Sequence, residues 1–128
     1  RCFSDIEDCI YCLDKLITDR KVFSQTVNIG PDEEFITINK LFKLIANKLQ
    51  FNKEPKYYAD RLNEVKDATC SSDKAREILN YKTSVSLEKS IDKVINYIKK
   101  NGVKKFKYNY MLEIVNDNTP LTWKDRLF

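Results

Sequence analysis

ADRLNEVKDATCSSDKAREILNY, residues 59–81, sets the rhythm by which the rest of the chain is read. Its first half has no apolar period, so Arg61 and Glu64 belong to a loop. Its second half changes character. Ser71 or Ser72 is a hydroxyl cap for a short helix carrying Ala75, Ile78 and Leu79 on one side, and Asn80-Tyr81 breaks that helix. An arginine offers a planar fork of donors that matches two phosphate oxygens, and a carboxylate three residues on accepts from the paired hydroxyls of a ribose or sugar. The same two side chains also make a solvated surface ion pair, and the residues alone favour that plainer reading.

Working outward, the same loop-and-capped-helix rhythm repeats. Asp5 or Asp8 begins a first helix that fades near Thr18-Asp19-Arg20, with Ile6, Ile10, Leu13 and Ile17 spaced four, three and four apart as a buried face. Residues 25–29 read as a short extended segment stopped by Gly30-Pro31. Thr37 caps a second helix with Ile38, Leu41, Phe42, Ile45 and Leu49 on one stripe, and residues 55–59 read as a short strand. Ser86 caps a longer helix whose Leu87, Ile91, Val94, Ile95 and Ile98 face inward, and Asn101-Gly102 supplies its left-handed end. Residues 103–115 alternate Phe106, Tyr108, Tyr110, Leu112 and Ile114 against polar neighbours and read as a strand; residues 118–123 form a turn that anchors Trp123. The fold class is therefore α/β (α+β) and helix-rich, with about four helices and short strands.

With 128 residues, 42% hydrophobic and 33% charged, the chain has the size and composition of one globular domain and not of a disordered segment. No apolar run reaches the roughly 18 residues of a spanning helix, and Arg1-Cys2-Phe3-Ser4-Asp5 lacks the plan of a signal peptide, so no membrane partner and a cytoplasmic location are expected. The net charge of +4 comes from 23 basic and 19 acidic residues mixed along the chain. Nucleic-acid binders concentrate positive charge on one face or arm, so no nucleic-acid partner is expected. Modest positive charge also suits a small anionic ligand.

Four cysteines include one Cys-x-x-Cys, Cys9 to Cys12, but the chain has no histidine and Cys9 and Cys12 fall inside a helical pattern, so both read as reduced thiols on or beside a helix and no metal is expected. Without histidine there is no Ser-His-Asp or Cys-His arrangement, and two glycines cannot build a phosphate-cradling turn. One Tyr-x-x-x-Lys, Tyr11 to Lys15, has the spacing by which a lysine lowers a tyrosine's pKa for acid-base work; here both read as helix-surface residues. No catalytic residue is expected in the chain.

Three ordered stretches carry a resemblance. Arg1-Cys2-Phe3-Ser4-Asp5-Ile6-Glu7-Asp8 is similar to an Arg-x-Phe-x-x-Val-x-Asp lead into a helix, and Thr26-Val27-Asn28-Ile29-Gly30 followed by Glu34-Phe35-Ile36-Thr37-Ile38 is similar to a Tyr-Asn-x-Gly strand and the helix after it. Arg61-Leu62-Asn63-Glu64-Val65, Ser72-Asp73-Lys74-Ala75, Leu79-Asn80-Tyr81 and Ser86-Leu87-Glu88 resemble Arg-x-Gly-Asp/Glu-Val, Asp-x-x-Lys-Ala, Leu-Gly-Tyr/Trp and Ser-Leu-Glu. Together they resemble the C-terminal, substrate-binding part of an extended short-chain dehydrogenase of the nucleotide-sugar epimerase and dehydratase group, which includes UDP-glucose 4-epimerases.

The resemblance implies a nucleotide-sugar substrate-binding domain over residues 1–102, with 103–128 as a strand and tail packed on it. It places Arg1 and Arg61 on the diphosphate of a substrate such as a UDP-sugar, and Glu64 on the ribose hydroxyls. Asn63 and Asn80 replace glycines, and Asp5 stands where an aromatic or histidine is common. The family's NAD-binding turn and catalytic Ser/Thr and Tyr-x-x-x-Lys precede the Arg-x-Phe segment, so the chain is expected to lack the Rossmann domain and bind no cofactor itself, NAD belonging to the parent enzyme. A non-enzymatic helical interaction module, binding an acidic partner or RNA through Lys104 to Lys107, is the alternative.

Overall fold

The computed structural model describes the chain except residues 33, 62, 63, 106, 108–110, 112–114, 127 and 128. Among the described residues there are five α-helices and one 3₁₀ turn: α1 (Ile6–Thr18), the turn (Arg20–Val22), α2 (Ile38–Leu49), α3 (Asp73–Leu79), α4 (Leu87–Asn101) and α5 (Leu121–Lys124). No helix of the described residues is long and apolar enough to cross a membrane.

The helix starts follow from short-range bonds. Asp5 caps α1 by accepting from the Glu7 N–H at 3.0 Å, Thr37 caps α2 through the Lys40 N–H at 3.2 Å, and Ser86 caps α4 through the Lys89 N–H at 3.4 Å. The ends use left-handed residues. Asn80 ends α3 at φ 52°, a conformation asparagine tolerates, and the Tyr81 N–H closes the turn on the Ala75 carbonyl at 3.2 Å. Gly102 ends α4 at φ 77°, where a side chain would be strained.

Two small cores hold the fold. In the first, Cys12 of α1, Val22 and Ala75 and Leu79 of α3 are buried with Tyr81, and Leu16, Val27, Ile29 and Ile78 pack against them. In the second, Ile36 and Leu87 and Ile91 of α4 are buried against Leu41, Leu44 and Ile45 of α2. Polar tethers join the elements. The buried Asp8 accepts from the Ser84 N–H at 3.1 Å, from the Ser84 hydroxyl and from the Val85 N–H at 3.4 Å. Asp5 accepts from the Ser90 hydroxyl at 2.7 Å and from Lys93 Nζ at 3.1 Å, pinning the start of α1 to α4. Asp32 accepts from the Ser72 N–H at 2.8 Å and from both Arg76 guanidinium nitrogens, tying residue 32 to the start of α3.

Several sequence expectations are corrected. Residues 25–29 and 55–59 form no strand, because an extended segment becomes one only when a neighbour completes its ladder. The apolar positions of the expected strand at 103–115 lie outside the described residues. The largest correction concerns α1. Ile6, Ile10, Leu13 and Ile17 do share one face, but they are 66, 55, 53 and 80% exposed, and Asp8, Cys12 and Leu16 face inward instead. The Asp8 and Asp5 tethers hold that polar-containing side against the protein, which turns the aliphatic stripe outward. Val94 and Ile98 of α4, expected inward, are likewise exposed, as are Ile38 and Leu49 at the two ends of α2. Trp123 is half exposed in α5 and anchors no core.

Candidate functional site

Arg1 is placed by its backbone. Its amino group donates to the Ile36 carbonyl at 2.9 Å and the Ile36 N–H returns a bond to the Arg1 carbonyl at 2.9 Å, the reciprocal exchange of an antiparallel pair. From that position the guanidinium reaches the segment after Glu64, donating through Nη1 to the Lys66 carbonyl at 3.2 Å and through Nη2 to the Val65 carbonyl. The N-terminal segment, the residue before α2's cap and the loop of Arg61 and Glu64 therefore meet at one place.

A cavity of about 490 Å³ opens there, lined by Arg1, Phe35, Ile36, Asp60, Arg61 and Glu64 among others. Its size falls in the range of about 300 to 1,000 Å³ usual for small-ligand sites. All three residues that the resemblance implied border it, although Arg1 and Arg61 are sixty positions apart in sequence. Their donors are not idle. Arg61 donates through Nε to Glu64 Oε2 at 2.8 Å and through Nη2 to Glu64 Oε1 at 2.5 Å, a two-pronged pair. The Arg61 bond holds the Glu64 carboxyl below the usual carboxylate range, with a smaller contribution from the charge of Arg1. The ion pair read from the residues alone is thus formed, and it is formed in the wall of a cavity. Arg61 and Glu64 are both partly exposed, so an anion needs only to compete for Arg61 with one solvated carboxylate.

Other chemistry-bearing residues are used structurally. The Tyr11 hydroxyl donates to the Leu79 carbonyl at 3.2 Å, and Lys15 Nζ lies 5.9 Å from the Tyr11 ring centroid. Cys12 is fully buried and burial pushes its thiol pKa up, whereas Cys70 is exposed; all four cysteines are free thiols.

A larger cavity, about 690 Å³, was missed by reasoning from the sequence. It lies where Phe3, Pro31 and Arg76 face the loop from Asn80 to Leu87. The break at Asn80-Tyr81 was its only sequence signal, because the loop is shaped by the distant Asp8. Arg76 there is held by Asp32 and by Asp73 at 2.8 Å.

No protein-family profile matches the chain, and no solved structure matches it. Among curated proteins it is similar to the bifunctional polymyxin resistance protein ArnA of Wigglesworthia glossinidia brevipalpis, 27% identical over 119 residues that cover 80% of this chain and 18% of that protein. The likeness supports a distant epimerase/dehydratase-like relationship. The chain spans less than a fifth of the length of this curated relative.

Proposed function

We propose that this chain is the substrate-holding part of a larger NAD-dependent nucleotide-sugar epimerase or dehydratase, and that it grips the diphosphate and ribose of a substrate such as a UDP-sugar. The observation that carries this reading is the convergence of Arg1, Arg61 and Glu64 on one cavity of about 490 Å³. In it, Arg61 turns its fork from Glu64 to the diphosphate, Arg1 adds a second positive charge, and the released Glu64 accepts from the ribose hydroxyls. Phe35, half exposed in the same wall, offers a ring for the base to lie against.

The residues of this chain do not fit NAD. Gly30 and Gly102 stand far apart and build no glycine-rich turn, so in this reading the cofactor, with the hydride chemistry it supplies, belongs to a Rossmann domain elsewhere in the polypeptide. The contribution here is positioning, which matters because the reacting carbon must be held still against its partner. The outward aliphatic face of α1 supports a larger assembly, since four aliphatic residues at helical spacing are more than is ordinarily left bare.

Titration calorimetry of UDP-glucose against the chain tests the reading. Weak binding is expected, with UDP competing and Arg61→Ala reducing affinity tenfold or more (about 1.4 kcal/mol per decade). Absence of UDP binding, or an Arg61→Ala variant that binds as well as the parent, would sink it.

A further inference from the structure

Arg61 stands in the wall between two cavities. Next to the 490 Å³ cavity lies a cleft of about 340 Å³ lined by residues 59–61, by the turn at Asn116, Asp117, Asn118 and Thr119, and by Lys124 of α5. Asp60 and Arg61 border both spaces. The tail of the chain, for which the family resemblance has no counterpart, is thereby brought against the residue proposed to hold the diphosphate.

The turn is built from its own bonds. The Thr119 N–H donates to the Asn116 carbonyl at 3.1 Å, the Asn116 N–H to Thr119 Oγ1 at 3.0 Å, and the Asn118 N–H to Asn116 Oδ1 at 2.9 Å. These bonds fix the loop while using only one side-chain acceptor each of Asn116 and Thr119. The Asn118 side-chain amide and the Lys124 ammonium make no hydrogen bond to the described residues. Among the described lining residues Asp60 and Asp117 balance Arg61 and Lys124. Its polar groups are amides, a hydroxyl, two carboxylates and two cations, a mixture of donors and acceptors that suits groups able to do both. The first cavity has the ring of Phe35 in its wall, the stacking surface a nucleobase uses; the described lining of the cleft is polar and aliphatic.

We propose that this cleft is the sugar subsite: with the nucleoside on the Phe35 and Glu64 side and the diphosphate along Arg61, the hexose lies beyond Arg61 among Asn118, Thr119 and Lys124. The inference rests on the nucleotide-sugar reading above and adds a role for the tail, that of selecting the sugar. Asn118 and Lys124 are exposed, so replacing them leaves the fold intact.

Calorimetry with UDP and with UDP-glucose on the parent chain, Asn118→Ala and Lys124→Ala separates the two claims. The parent should bind UDP-glucose more tightly than UDP, and each substitution should weaken UDP-glucose by about three- to tenfold, the worth of a hydrogen bond or two, with UDP unchanged and the melting temperature unmoved. Equal affinity of the parent for UDP and UDP-glucose overturns the sugar subsite while leaving the diphosphate site standing. So does an equal loss of both ligands in the variants, or no loss of either. Failure of the parent to bind UDP at all overturns both readings.

Discussion

Arg61 and Glu64 hold each other by two parallel hydrogen bonds, 2.8 and 2.5 Å long, in the wall of the cavity that Arg1 also borders. The pair is a latch whose two halves are the groups proposed to take diphosphate and ribose, and each satisfies the other. Pyrophosphate, which has no ribose, isolates one half. Glu64→Gln should bind pyrophosphate about threefold or more tightly than the parent, because the fork of Arg61 is no longer shared with a carboxylate. Arg61→Ala should lose that binding. Competition calorimetry at low salt measures both, and a Glu64→Gln variant no tighter than the parent would count against the latch.

The Asp8 carboxyl serves three donors from Ser84 and Val85 while itself buried. Asp8→Ala takes the acceptor away from the exposed Ser84 and the half-buried Val85, at a cost of roughly 1 to 2 kcal/mol. Urea denaturation should show that loss, and it should be larger than for Asp8→Asn, which keeps one acceptor.

Acid should destabilise the chain in a window set by Asp32 and Asp5. Hydrogen bonds from Arg76 first and the Ser72 N–H second depress the Asp32 pKa; for Asp5 the Ser90 hydroxyl leads, followed by the Glu7 N–H. A depressed folded pKa means that the unfolded chain binds protons more readily. The stabilisation is therefore fully present above the ordinary aspartate value of about 4 and is lost as pH falls through the lower folded values. Circular dichroism against pH should show this transition, and Asp32→Asn should flatten it.

One substitution on α1 should behave oppositely to what periodicity alone suggests, and one in α3 as it suggests. Ile10→Asp, on the bare stripe, should change the stability of this chain by no more than about 0.5 kcal/mol. Leu79→Ala, in the core under α1, should cost about 2 to 5 kcal/mol. Thermal melts of the two variants compare them directly, and a large loss from Ile10→Asp would mean that the stripe is covered.

Thiol labelling offers a check on burial. Cys70, exposed on its loop, should react with a disulfide reagent in the native protein, while Cys12, fully enclosed and with its thiol pKa raised by burial, should react only on unfolding.

Much of this was legible in the residues. The residues offer Asp5 or Asp8, Thr37, Ser71 or Ser72, and Ser86 as cap positions; Asp5, Thr37 and Ser86 accept from helix N–H groups, and α3 starts after Ser72, whose hydroxyl bonds the distant Gly30 carbonyl instead. The failures have one cause. Spacing says which residues of a helix share a side, not where the rest of the protein lies, so Ile6, Ile10, Leu13 and Ile17 were grouped correctly and faced wrongly. Trp123, expected to be anchored by a turn, lies half exposed in α5.

The sequence by itself determined the starts of α2 and α4 and the left-handed stop at Gly102, because the bonds that enforce them close within a few residues. It also named Arg1, Arg61 and Glu64 as charges worth following. Only the tertiary structure decided that Arg61 faces Glu64 on one side and the Asn118 turn on the other, and that Arg1 closes the same cavity by pairing with Ile36. Those relations depend on where distant segments come to rest, and the periodicity of one segment carries no record of the position of another.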